Sequence, residues 1–172
     1  MKKAIHIAIS LDKQIDKQKF VAAISEILKI NDVNIYFFYS QDNQLKINNT
    51  KVFIDYIPLT NSVLTTNINI SIAEPPNYPS KFCDIDFAIS LAKILAANVY
   101  IPAPLSYKYS IIRIEPTGKL YGANEYETDE EFEYLDDITL LNKKAIENLK
   151  KAIEEDAMEE EFITEQTQLG NY

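Results

Sequence analysis

The sequence predicts a single α+β domain, in which helices pack on one face of a mixed, mainly antiparallel sheet. The chain has 172 residues, the usual size of one domain and enough to bury about 70% of the unfolded surface. Strand-like stretches outnumber helical ones, in the order β-α-β-β-β-β-α-β-β-β-α. Short turns separate most of the strands, and short turns join antiparallel neighbours.

The first strand is predicted at residues 3–9, which are rich in Ile, and the first helix at 17–30. Asp16 is a typical N-cap residue for this helix. Apolar residues then recur at the spacing of one helical face, at Phe20, Ile24, Ile27 and Leu28.

The middle of the chain predicts four strands. Residues 33–39 are almost continuously apolar, which indicates a central strand. Shorter strands are expected at 44–47 and 51–57, joined by a turn at 48–49 because Asn tolerates positive φ. Residues 67–74 alternate Ile with polar residues, as in a half-buried strand.

A second helix is predicted at 82–97, apolar on most sides and capped by Ser80 after the Pro-rich stretch 75–79. A short strand at 99–101 follows. Strands at 109–114 and 119–123 then form a hairpin through a turn with Pro116 and Gly118.

A third helix is predicted at 140–162, with Thr139 as its N-cap. The domain then divides into an α+β core at 1–124, an acidic segment with the C-terminal helix at 125–162, and a frayed tail at 163–172.

Charge is distributed unevenly along the chain. Residues 1–114 have a net charge of +3, whereas residues 115–172 have −12. A Glu-rich run at 154–161 is expected to be mainly a solvated helix face. The run at 125–137 holds eight carboxylates and no base, interleaved with aromatic residues. Aromatic residues anchor interfaces and charges steer partners, so this run is either a plain surface loop or a partner-binding strip.

The partner-binding strip is assigned to Glu125, Tyr126, Glu127, Asp129, Glu130, Glu131, Phe132, Glu133, Tyr134, Asp136 and Asp137. Net negative charge argues against a nucleic-acid partner and against an anionic membrane surface. The single cysteine excludes a disulfide framework and fits a cytoplasmic location. No stretch has the length of a signal peptide or a membrane span.

Catalytic and cofactor-binding residues are not predicted. His6 is interpreted as an ordinary strand residue, Cys83 as a structural cysteine, and Asp84 with Asp86 as carboxylates that favour a helix N-terminus. Only three glycines occur, so no Gly-rich phosphate loop and no nucleophile elbow can be assigned. The sequence therefore indicates a protein that is not an enzyme and has no cofactor or metal.

The succession of sequence segments in one part of the chain resembles that of a known family. The segments are residues 88–95, 98–102 and 107–114, the turn with Pro116 and Gly118, residues 119–121, and an acidic tail. Over residues 80–137 this pattern resembles the C-terminal half of small immunity proteins of bacterial contact-dependent inhibition and polymorphic toxin systems. The resemblance implies a cytoplasmic, non-enzymatic protein that binds and blocks one cognate toxin domain. Such toxins are often basic nucleases, which suits an acidic face.

The expected function is therefore that of an immunity or inhibitor protein. Two alternatives remain open. One is a small enzyme that holds a divalent ion with Asp84, Asp86 and Glu74. The other is an adaptor module whose charge serves only solubility.

Overall fold

The computed structural model describes residues 5–39, 51–60, 62–73, 84–128 and 133–169. These residues form eight strands, namely β1 (Ile5–Leu11), β2 (Ile35–Tyr39), β3 (Val52–Pro58), β4 (Thr66–Ile72), β5 (Val99–Pro102), β6 (Ile111–Ile114), β7 (Leu120–Glu127) and β8 (Glu133–Leu140). They also form three α-helices, α1 (Lys17–Leu28), α2 (Asp84–Leu95) and α3 (Lys143–Leu169).

The eight strands form one mixed sheet in the order β2-β3-β4-β1-β5-β6-β7-β8. Within the described part of the chain, β2 and β3 are the parallel pair of strands and every other pair of strands is antiparallel, while one isolated parallel bridge joins Ser62 to Glu133. The predicted α+β class with a mainly antiparallel mixed sheet is confirmed.

Helices cover one face of the sheet, as predicted. The buried residues of α1 and α2 belong to one apolar cluster with the inward residues of β1, β3 and β4. Strand alternation explains this cluster, because Ile7, Ile9 and Leu11 of β1 are buried and the residues between them are not. Leu149 of α3 is buried in the same cluster. The opposite side of the sheet, here called the open face, carries a second and smaller apolar cluster.

The first helix begins where the sequence predicts. Asp16 is its N-cap, and Asp16 Oδ1 accepts hydrogen bonds from the backbone N–H groups of Gln18 and Lys19 at 2.9 and 3.2 Å. These bonds satisfy two of the donors that a helix N-terminus leaves without an intrahelical partner.

The strand predicted at 33–39 is confirmed for residues 35–39, but its predicted central position is not found among the described strands. Residues Asp32–Asn34 form a 3₁₀ turn, and β2 then lies at the edge of the described sheet. Aromatic packing explains its apolar sequence, since the ring of Tyr36 lies 6.0 Å from Phe38 and 6.5 Å from Phe53. The strand predicted at 44–47, the turn at 48–49, the stretch 75–79 and the Ser80 cap lie outside the described residues.

The prediction that Thr139 caps the last helix was also wrong. Thr139 lies in β8 opposite Gly122, and the helix begins after Asn142, whose side-chain oxygen accepts a hydrogen bond from the Ala145 N–H at 2.9 Å. Pairing with β7 holds residues 139 and 140 in the sheet, so the helix cannot start there. The helix also continues to Leu169 rather than ending at 162.

The predicted hairpin through Pro116 and Gly118 is confirmed as β6 and β7. Gly118 has a φ of 82°, in the region that favours glycine, and its N–H donates to the Glu115 carbonyl at 2.8 Å. Gly122 is required for lack of space, because a Cβ built there would lie 2.1 Å from Cδ2 of Tyr109.

We expect replacement of Ile70 by Ala to lower the free energy of unfolding by about 2–5 kcal/mol, because it leaves a cavity in the apolar cluster. Ile70 is fully buried. The matched control is Leu105→Ala, since Leu105 is 100% exposed and should change stability by less than about 0.5 kcal/mol. Urea unfolding of both variants measures the difference, and equal losses would contradict the assigned core.

We expect Gly122→Ala to destabilise the protein by about 1–3 kcal/mol, because the added methyl group collides with the buried Tyr109 ring. Adding Tyr109→Ala to Gly122→Ala should give a smaller loss than the sum of the two single losses, since the second change removes every colliding ring atom, Cγ included. Thermal unfolding of the two single variants and the double variant tests this, and simple additivity would show that the collision is not the cause.

Candidate binding surface

The acidic segment forms strands of a β-hairpin. Glu125 lies opposite Leu135, Tyr126 opposite Tyr134 and Glu127 opposite Glu133 in the pairing of β7 with β8. The interpretation as a plain surface loop was therefore wrong for the described part of the segment. A signal was present in the sequence, because Glu and Tyr alternate at 125–127 and at 133–134, which is the period of a strand.

Four predicted binding residues, Asp129, Glu130, Glu131 and Phe132, lie outside the described residues, as do the side chains of Tyr134 and Asp137. Asp136 is exposed and opposite Asn124. The ladder shifts register between Gly122 and Asn124, so β8 carries one extra residue there. Such a bulge increases the local twist of the pair.

Alternation places Glu125, Glu127 and Glu133 on the same side of the hairpin, and all three are exposed. Here they are called the acidic triplet. No Lys or Arg of the described chain forms an ion pair with any of them. Glu127 and Glu133 face each other directly, an arrangement that destabilises a sheet. Partial burial, and secondly the charge of Glu133, raise the pKa of the Glu125 carboxyl above its ordinary range.

The connection between β3 and β4 ties the acidic hairpin to the rest of the domain. Its described residues, 59–60 and 62–65, cross the open face and are here called the crossing loop. The Val63 N–H donates to the Glu133 carbonyl at 3.1 Å, and the Thr65 N–H donates to the Leu11 carbonyl at 2.8 Å. Leu64 is buried in the cluster of the open face. The crossing loop thus fixes the N-terminal end of β8 to the central strand β1.

The open face also carries a cleft with a volume of about 270 Å³. It is lined by Ala8, Ile9, Ser10, Ile57, Asn67, Asn69, Pro102, Ile111 and Glu125. The Ser10 hydroxyl donates to Asn67 Oδ1 at 2.5 Å across the β1–β4 pair. Glu125 therefore connects the acidic hairpin with polar residues of the two central strands, which no spacing in the sequence could indicate.

One cation of the open face is compensated within the protein. Arg113 Nη2 lies 3.0 Å from Glu115 Oε1, and its guanidinium lies 4.3 Å from the centre of the Tyr121 ring. Arg113 is paired in register with Tyr100, a buried residue whose pKa is raised to about 12, mainly by burial. The phenol of Tyr100 is therefore neutral at physiological pH and is not available as a base.

The remaining candidates for chemistry are dispersed. His6 Nδ1 and Ser71 Oγ share a hydrogen bond of 2.9 Å on the open face. Asp86 Oδ1 accepts from Lys150 Nζ at 2.9 Å, which joins α2 to α3. Cys83, Glu74 and the Asp84 side chain lie outside the described residues. The described residues contain no group of three or more His, Cys, Asp or Glu arranged to hold a metal ion.

We expect Glu125→Gln to raise the free energy of unfolding by up to about 0.5 kcal/mol at pH 7. A carboxyl group whose folded pKa is raised binds more protons in the native state, so its contribution to stability falls as pH rises from the ordinary pKa through the raised one. The Gln side chain does not ionise, so the variant does not lose this stability as pH rises. Below about pH 4, where the carboxyl is mainly protonated in both states, the two proteins should be equally stable.

Urea unfolding at pH 3.5 and pH 7 tests this expectation. The control is Glu26→Gln, which removes an exposed carboxylate from α1. A stability difference for Glu125→Gln that does not change with pH would contradict the assigned cause.

Comparison with known proteins found no relative of this chain. No protein-family model, curated protein or solved structure matches the chain. In the described part of the chain, no helix combines the length and the apolar character needed to cross a membrane. The resemblance to immunity proteins therefore stays a hypothesis.

Proposed function

We propose that this protein is an immunity protein, which binds a cognate bacterial toxin domain through the acidic hairpin and blocks it in the cytoplasm. The basic surface of a nuclease domain is the partner that fits best. The observation that carries the proposal is the acidic triplet, three carboxylates without an ion-pair partner in the described chain, on one side of a hairpin fixed to the sheet.

The electrostatics of the acidic triplet favour a cationic partner. Glu127 and Glu133 lie directly opposite each other, and the charge of Glu133 is the second cause, after partial burial, of the raised pKa of the Glu125 carboxyl, so these carboxylates repel each other in the free protein. A basic surface would relieve that repulsion as it binds. Nucleases recognise phosphates with Lys and Arg, so an acidic face that covers such residues would also exclude the nucleic acid.

Apolar side chains beside the acids supply anchors. Leu140 of β8 is 56% exposed and lies opposite Tyr121, on the same side as the acidic triplet, whereas Tyr126, 42% exposed, alternates with Glu125 and Glu127 and lies on the other side. Aromatic and apolar anchors carry most of the affinity of an interface, whereas surrounding charges mainly set orientation and association rate. The hairpin offers both classes of side chain.

The hairpin is also positioned before binding. The crossing loop is hydrogen bonded to β8 on one side and β1 on the other, so little ordering should be needed when a partner arrives. Preorganisation reduces the entropic cost of association. This arrangement favours stoichiometric inhibition by a stable complex.

The test is to co-express the protein with the C-terminal domain of the product of the adjacent upstream gene and to measure the dissociation constant of the complex. We expect a one-to-one complex that abolishes toxicity and weakens as ionic strength rises. The double charge reversal Glu127→Lys with Glu133→Lys should weaken the complex by about 100-fold or more, as expected for close interfacial charge pairs.

The matched control is Glu26→Lys with Glu147→Lys, which changes net charge equally but on exposed positions of α1 and α3. This control should change the dissociation constant by less than about threefold, because salt screens charges that lie outside the interface. Absence of a complex at low salt, or equal losses for the two double variants, would overturn the proposal.

A further inference from the structure

We propose that the cleft on the open face receives one long basic side chain, an arginine or a lysine, of a protein partner, with the Glu125 carboxylate as its counter-ion. The inference rests on the proposed function and deepens it, since it identifies the group of the partner that enters the domain. Four properties of the cleft support it: its size, its walls, its polar atoms and its charge.

Size favours a side chain over a small-molecule ligand. The cleft measures about 270 Å³, below the range of about 300–1,000 Å³ that is typical of pockets for drug-sized ligands and cofactors. The cleft is open to solvent, so a group attached to a larger partner can enter it. The occupant is therefore expected to be one residue of a docked protein.

The walls are apolar in the part that a long side chain would cross. Ile57, Pro102, Ile111 and Ala8 line the cleft from four different strands. Arginine and lysine bury their methylene stems against such surfaces and keep the charged end for polar atoms. A short acidic side chain would leave these walls uncovered.

Polar atoms are concentrated on the central strands. Ser10 donates its hydroxyl hydrogen to Asn67 Oδ1, and the oxygens of both groups keep lone pairs that can accept further hydrogen bonds. Asn69 lines the cleft beside them, and its side chain is not hydrogen bonded to any described residue. A guanidinium or an ammonium group brings several donors and no acceptor, which matches a site rich in acceptor oxygens.

The charge of the cleft also favours a cationic side chain. Among the described residues that line the cleft, Glu125 is the charged one. Partial burial raises the pKa of its carboxyl group, and Glu133 adds negative potential nearby. A partly desolvated carboxylate is stabilised by a hydrogen-bonded cation. An anionic or neutral occupant would leave that charge uncompensated.

The first experiment titrates the ¹⁵N-labelled protein with three capped tripeptides, Gly-Arg-Gly, Gly-Lys-Gly and Gly-citrulline-Gly, and follows backbone amide shifts by NMR. We expect saturable shifts, in the millimolar range of a single contact, at Ala8, Asn69 and Glu125 with the arginine or the lysine peptide. Citrulline has the shape of arginine without its charge and should give no saturable shift. The stronger of the two cationic peptides identifies the preferred side chain.

Two variants make the test specific. Glu125→Gln should weaken peptide binding by about tenfold or more, as expected on loss of a charged hydrogen-bond partner. Glu127→Gln removes the same charge from the same side of the hairpin but does not line the cleft, so it should weaken binding by less than about twofold. Equal binding of the citrulline peptide, or equal effects of the two variants, would overturn the inference.

The two proposals fail in different ways. If the toxin domain binds but neither Glu125→Gln weakens the complex nor the peptides bind, the cleft inference is wrong and the proposed function stands. If the cationic peptides bind the cleft of the wild-type protein and no toxin complex forms, the proposed function is wrong and the cleft is a site for basic side chains of another partner.

Discussion

The structure depends on the burial of strand β1 between its two neighbours and beneath the helices. β1 pairs with β4 along its whole length and with β5 at its end, so it joins the two halves of the sheet. Its inward side chains, Ile7, Ile9 and Leu11, are buried with residues of α1 and α2. The hydrophobic effect on these residues therefore fixes the register of the central sheet, because a slip of one residue would expose all three.

The same constraint creates the candidate site. Once the register of β1 is fixed, Ala8 and Ser10 must point to the open face, where Ser10 meets Asn67 of β4. The Thr65 N–H then bonds to the Leu11 carbonyl and the Val63 N–H to the Glu133 carbonyl. Core packing on one side of β1 thus determines where the acidic hairpin and its cleft lie on the other side.

The acidic hairpin carries charges that act against the stability of the folded state. Opposed carboxylates at Glu127 and Glu133, and a carboxyl group at Glu125 that resists ionisation, each act against the folded state. Natural proteins lie only a little above the stability that they need, and strained or repulsive groups concentrate at functional sites. Arg113, by contrast, is compensated by Glu115 and Tyr121.

Local sequence determined the fold class, most strand and helix positions, the Asp16 cap and the turn at Gly118, because these follow from periodicity and from the φ preferences of single residues. It also determined that the C-terminal third is acidic. Only the tertiary structure decided that β2 lies at the end of the described strand order and that Thr139 belongs to a strand, since both depend on which strand pairs with which. The cleft was equally beyond prediction, because Ser10, Asn67 and Glu125 come together through sheet order and a loop crossing, and such non-local contacts leave no regular spacing in a single sequence.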